Sequence, residues 1–206
     1  MYKKQMTVQK ILCLLAVIVA VILFLYALGI MTDLYDALYT TLRIRVVEGG
    51  EGGYGLDVTE RDVPGARVYT NMQPFNQWLV AASIVYILLA ALLFVTNTNV
   101  RRRYYTGNYV SIGLFAAASV YIAVYAHPYI EAFKVRWLAV DFAALKEYSE
   151  TFNSTYTEST LWFDLHYGVF ALMILAAVLL VACAVWKVML MKEEAKLVEA
   201  GKEAKA

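Results

Sequence analysis

Four uninterrupted apolar runs, at residues 11–30, 78–95, 109–126 and 167–191, leave this chain few choices of fold. Each is close to the roughly 20 residues that a helix needs to cross the hydrocarbon core of a bilayer, where a helix satisfies all its own backbone groups. Asp, Glu, Lys, Arg and His are absent from the middle of every run. Composition agrees: 61% of the 206 residues are hydrophobic and 17% are charged, whereas soluble domains carry roughly 25% charged residues. The expected fold is therefore an all-α membrane protein, a four-transmembrane-helix bundle with spans at 11–31, 78–96, 109–127 and 161–191. Lys3, Lys4 and Lys10 precede the first run and Ala27 and Gly29 lie near its end, as in a secretory signal. Its apolar stretch exceeds the roughly 7–15 residues of a signal core, so an uncleaved anchor is expected.

Basic residues near span ends resist translocation, and their placement sets the orientation. Lys3, Lys4, Lys10, Arg101, Arg102, Arg103, Lys187, Lys192, Lys196, Lys202 and Lys205 all fall on one side of the spans. That side reads as cytoplasmic, which puts both termini inside (N-terminus 1–10, tail 192–206) together with the basic hairpin 97–108. Loops 32–77 and 128–160 are then external and carry most of the acidic residues. The total charge of +1 conceals this split and offers no footprint for nucleic acid. Cys13 and Cys183 both lie in apolar runs, so the loops hold neither a disulfide framework nor a Cys-x-x-Cys redox motif.

Loop 32–77 opens with helical spacing at Leu34, Tyr35, Leu38, Tyr39 and Leu42, then alternates over 43–47. The glycine-rich stretch 48–55 cannot hold regular structure, and a second short strand is expected near 56–59, making a β-hairpin-like cap. Glu48 and Glu51 would repel an anion and no Gly-Lys-Ser/Thr ending is present, which excludes a phosphate cradle. Residues 61–65 read as a turn, 67–70 as another strand, and Gln73, Asn76, Gln77 and Trp78 as an interfacial collar. After His127-Pro128 a second external helix is expected over 129–152, kinked against span three because proline discourages an unbroken helix. Ser159 or Thr160 can cap the fourth helix, and the Lys/Glu/Ala tail is helical or disordered.

Three groups of residues are candidates for function. Arg101, Arg102 and Arg103 beside Tyr104 and Tyr105 are placed to meet anionic lipid headgroups, although specific phosphoinositide sites use about 4–8 basic residues. Phe133, Trp137, Val140 and Tyr148 form a stripe on an external helix, expected to bind another membrane protein or a second copy, since large exposed apolar patches are normally covered. At the outer rim, threading brings Asp33, Asp36, His127, Asp164 and His166 to one depth, and imidazole with carboxylate suits zinc, iron or manganese. Ion-coupled transport is disfavoured by the missing mid-depth charges and by the lack of an internal repeat. Gly113 and Ala117, Ala81 to Ser83, and Ala176 with Ala177 allow close helix approach. The expectation is a multi-pass cell-membrane protein without a cofactor, serving as an accessory or assembly subunit through its external loops. The alternatives are a membrane enzyme or permease with a rim site for a divalent transition metal, and a self-associating junction-type protein.

Overall fold

A computed structural model describes residues 2–29, 45–46, 57–58, 63–98, 106–151 and 158–203. In chain order the elements are α1 (Tyr2–Gly29), β1 (Arg45–Val46), β2 (Asp57–Val58), α2 (Arg67–Thr98), α3 (Gly107–Trp137), α4 (Phe142–Thr151) and α5 (Leu161–Glu203). α1, α2, α3 and α5 are long and apolar enough to cross a membrane. Large hydrophobic side chains remain exposed along all four, among them Ile18, Leu88, Val124 and Val178. In water such a surface would be untenable, and in lipid it is the expected exterior. The chain is thus a multi-pass membrane protein by the character of its helices.

The helices outrun the apolar runs at their ends. α5 continues into the charged tail, which is helical as far as Glu203. α2 starts at Arg67, so the strand expected over 67–70 is not formed. The cause is the turn before it, where Ala66 donates its N–H to the Val63 carbonyl (3.1 Å) with Pro64 and Gly65 at its centre. Gly65 has φ +86°, the left-handed conformation that a proline-glycine turn requires at its second central residue. The Val68 N–H then bonds the Gly65 carbonyl and begins the helix.

The hairpin expectation also needs correction. β1 and β2 do pair, with Arg45 against Asp57 and Val46 against Val58, but they run parallel. A parallel pair needs a crossover rather than a hairpin turn. The residues that join them, the glycine-rich stretch included, lie outside the described residues.

The chain divides into two compact units, each containing a piece of every long helix. The terminal unit comprises 1–21, 85–121 and 171–206, and the loop unit 22–84 and 122–170.

In the terminal unit a polar chain joins four helices. Gln5 Nε2 donates to Gln9 Oε1 (2.8 Å) and to Cys183 Sγ (3.6 Å), Gln9 Nε2 to Asn97 Oδ1 (2.5 Å), and Asn97 Nδ2 to Ser111 Oγ (2.9 Å). Buried amides and hydroxyls of this kind tie helices together where lipid provides no hydrophobic drive for association. Tyr86 stacks on Phe115 and its hydroxyl meets Ser119 Oγ at 2.7 Å. Ala176 and Ala177 are buried as expected, whereas Gly113 and Ala117 face outward.

In the loop unit Tyr26 stacks on Trp162 at 5.2 Å, fixing α1 to the start of α5. The turn at 63–66 docks on the bend between α3 and α4, where the Asp141 N–H reaches the Pro64 carbonyl at 3.0 Å. A Cβ on Gly65 would lie 3.0 Å from both Ala139 O and Val140 Cα, so glycine is needed for the close approach as well as for its φ. Asp141 also caps α4, its Oδ1 accepting from the Ala144 N–H at 3.0 Å.

Candidate metal centre at the loop end of the bundle

α3 does not break at His127-Pro128. It runs through Pro128 to Trp137, and the bend falls at 138–141 instead. Proline removes one backbone donor, yet membrane helices tolerate it where neighbouring groups compensate. The expected helix over 129–152 is therefore two pieces, the last turns of α3 and the separate α4.

Continuity through Pro128 places His127 and Glu131 four residues apart on one helical face. α5 supplies the third group. Its first turn is set by Ser159, whose hydroxyl accepts from the Leu161 N–H (3.2 Å), and by Thr160, whose hydroxyl donates to Asp164 Oδ2 (2.8 Å). One turn further, His166 is fully buried and points at α3. His127 Nδ1 lies 2.8 Å from His166 Nε2, and Glu131 Oε1 lies 3.8 Å from the same Nε2. One donor atom from each of the three residues falls within 4.8 Å of the others.

The surrounding contacts orient these donors. His166 Nδ1 faces the Phe163 carbonyl, which can only accept, so that nitrogen carries the proton and a neutral ring offers its Nε2 lone pair to His127. The Tyr167 hydroxyl donates to Glu131 Oε1 at 2.8 Å. The rings of Tyr167 and Phe170 lie 4.1 and 5.4 Å from that of His166 and hold it in place. Metal-bound histidines almost always donate their second nitrogen to a carbonyl or carboxylate in this way. Nitrogen and oxygen donors sharing one zinc-sized ion at about 2.0–2.2 Å stand roughly 3–4 Å apart, so adjustments of about 1 Å would close the set around an ion. His127 is exposed and Glu131 is half-buried, so the set is open on one side.

Of the residues expected at the rim, His127 and His166 come together. Asp164 does not join them. Its carboxylate is exposed and engaged by Lys134 Nζ at 2.6 Å and by Thr160. Asp33 and Asp36 lie outside the described residues, as do Arg101, Arg102 and Arg103. Glu131 was missed because a helix broken at proline hides the His-x-x-x-Glu spacing. The partner stripe is corrected by burial: Trp137 is 0% exposed, and Phe133 and Val140 are also buried. Trp137 packs on Phe142 and Phe163, which makes it core of the loop unit instead of a free surface. Nothing is described for the side chain of Tyr148. Asn76, expected in the interfacial collar, is fully buried within α2, while Gln73 and Gln77 are exposed. Comparison with protein families, with curated proteins and with solved structures finds no match to this chain.

Proposed function

We propose that this multi-pass membrane protein is a metal-dependent membrane enzyme, with a divalent transition-metal ion held by His127, Glu131 and His166. The convergence of those three donors within 4.8 Å carries the reading. Two imidazoles and one carboxylate leave coordination positions open, the arrangement of catalytic zinc sites in which a bound water becomes the reactive group. The reaction class that fits is hydrolysis at the membrane surface, with the exposed side of His127 as the approach. A permease is less well supported, since no ionisable group stands at mid-depth in the spans to carry a substrate across. The test is elemental analysis of the purified full chain. One equivalent of zinc, iron or manganese is expected in the wild type, and none in the double variant His127→Ala, His166→Ala. A wild type that takes up none of these metals on reconstitution overturns the reading.

The positive-inside distribution supports an orientation with both termini in the cytoplasm of a cell membrane, so that the metal faces outward. An accessory or assembly role, with another membrane protein or a second copy as partner, is the second reading. Val135 and Leu138, exposed near the end of α3, favour it. Co-purification after mild detergent extraction, with crosslinking for a self-associating form, tests that role.

A further inference from the structure

On the face of α3 turned away from His127 and Glu131, Asn71, Pro128, Tyr129, Ala132, Phe133 and Arg136 line an open cavity of about 310 Å³. Its floor is aromatic, made by Tyr129 and Phe133; Phe75, one turn along α2 from Asn71, stacks on Tyr129 (5.6 Å) and meets Phe133 at a tilt (5.7 Å). The Arg136 guanidinium lies 6.0 Å from the centre of the Phe133 ring. It makes no hydrogen bond or ion pair among the described residues, although it carries five donors and a fixed charge. The acidic groups nearest in sequence are committed elsewhere, Glu131 to Tyr167 and Asp141 to the cap of α4, and Asp164 of α5 is held by Lys134.

The position of the cavity narrows what can fill it. It lies just past the apolar runs of both helices, which begin at Trp78 in α2 and end at Ala126 in α3. Both lining segments therefore sit at the boundary between hydrocarbon and headgroups. Immediately along these helices Trp78 meets Tyr125 at 4.5 Å and Tyr125 meets Tyr129 at 5.1 Å, an aromatic belt of the kind that marks this depth. No carboxylate lines the cavity, so no anionic side chain in it pairs with the ammonium of a zwitterionic headgroup, whereas Arg136 is there for the phosphate.

We propose that this cavity binds the headgroup of an anionic phospholipid, its phosphodiester on Arg136 and its glycerol backbone over Phe133 and Ala132. The guanidinium fork matches two phosphate oxygens, Asn71 and Tyr129 are placed to hydrogen-bond headgroup hydroxyls, and the aromatic floor covers the first carbons of the acyl chains. This site is independent of the metal centre, which uses the opposite face of the same helix.

The test is lipid binding to the full-length protein in detergent, read by native mass spectrometry and by the rise in melting temperature as phosphatidylglycerol or phosphatidylcholine is titrated in. Phosphatidylglycerol is expected to bind about tenfold tighter than phosphatidylcholine, and Arg136→Gln to remove that preference, as suits the loss of one charge-assisted pair. Ala132→Trp fills the cavity with Arg136 intact and is expected to weaken phosphatidylglycerol to the same extent, which covers the case of an Arg136 variant that folds poorly. Equal binding of the two lipids by the wild type overturns the proposal, and so does an unchanged preference in both variants. Full competition by soluble glycerol phosphate at the same concentration overturns the lipid as occupant and leaves a free-phosphate site.

Discussion

Tyr167 reaches Glu131 on Oε1, the oxygen that also faces His166, so its hydroxyl holds the carboxylate in the direction of the two imidazoles. Removing that one hydroxyl with Tyr167→Phe leaves all three metal donors in place. Loss of such an outer contact costs roughly 10–100-fold in metal affinity, which competition with a chromophoric chelator measures. Unchanged affinity would mean that Glu131 is held by other means. Asn76 poses a different problem at the same scale, because it is fully buried and neither atom of its amide has a partner among the described residues. A buried amide left unsatisfied costs about 1–3 kcal/mol. Asn76→Leu, similar in shape and without polar atoms, is expected to raise thermal stability in detergent by that order. A lower melting temperature would show that the amide has a partner in the folded protein.

At the scale of elements, α3 departs most from the sequence expectation. Proline at 128 argued for a break there, but the helix passes through it and stops at 138–141, where Asp141 turns its N–H to Pro64 and its carboxylate to the cap of α4. The competing interactions that end the helix are tertiary on one side and local on the other, and only the local one, an aspartate at a cap, is visible in the sequence. The same shift moves Trp137 from a presumed surface to the core of the loop unit. Trp137→Ala is accordingly expected to destabilise the folded protein by about 3–5 kcal/mol, the range for emptying a large buried aromatic site, as measured by unfolding in detergent. Normal stability combined with loss of a co-purifying protein would restore the partner surface.

For the whole molecule, the placement of basic residues makes a prediction that burial and packing do not. Cysteines introduced at Gly52 and at Thr155 are expected to react with a membrane-impermeant thiol reagent in intact cells, and one at Thr106 is not. The native Cys13 and Cys183 are buried and give a low background. Labelling at Thr106 would invert the orientation and put the His127 and His166 face inside. Within the terminal unit, the chain from Gln5 through Gln9 and Asn97 to Ser111 makes its cohesion depend on polar contacts, whose partners come from helices far apart in sequence.

By itself the sequence determined that the chain forms four long apolar helices and which residues flank them, because bilayer thickness and backbone hydrogen bonding act on each segment separately. It also marked the proline-glycine turn at 64–65 and the hydroxyl cap at the start of α5, both of which are local chemistry. It grouped His127 and His166 at one depth with Asp33, Asp36 and Asp164, but could not say which of the five face one another or pair the two imidazoles on facing helices. That pairing depends on the rotation of α3 against α5, and a helix read as broken at Pro128 loses the rotation that carries Glu131 to the same face. Burial of Trp137 was hidden for a related reason: an aromatic stripe looks the same in sequence whether a partner or the chain's own turn covers it. Tertiary structure decided both, through the register in which the Gly65 turn, the 138–141 bend and the first turns of α5 pack together.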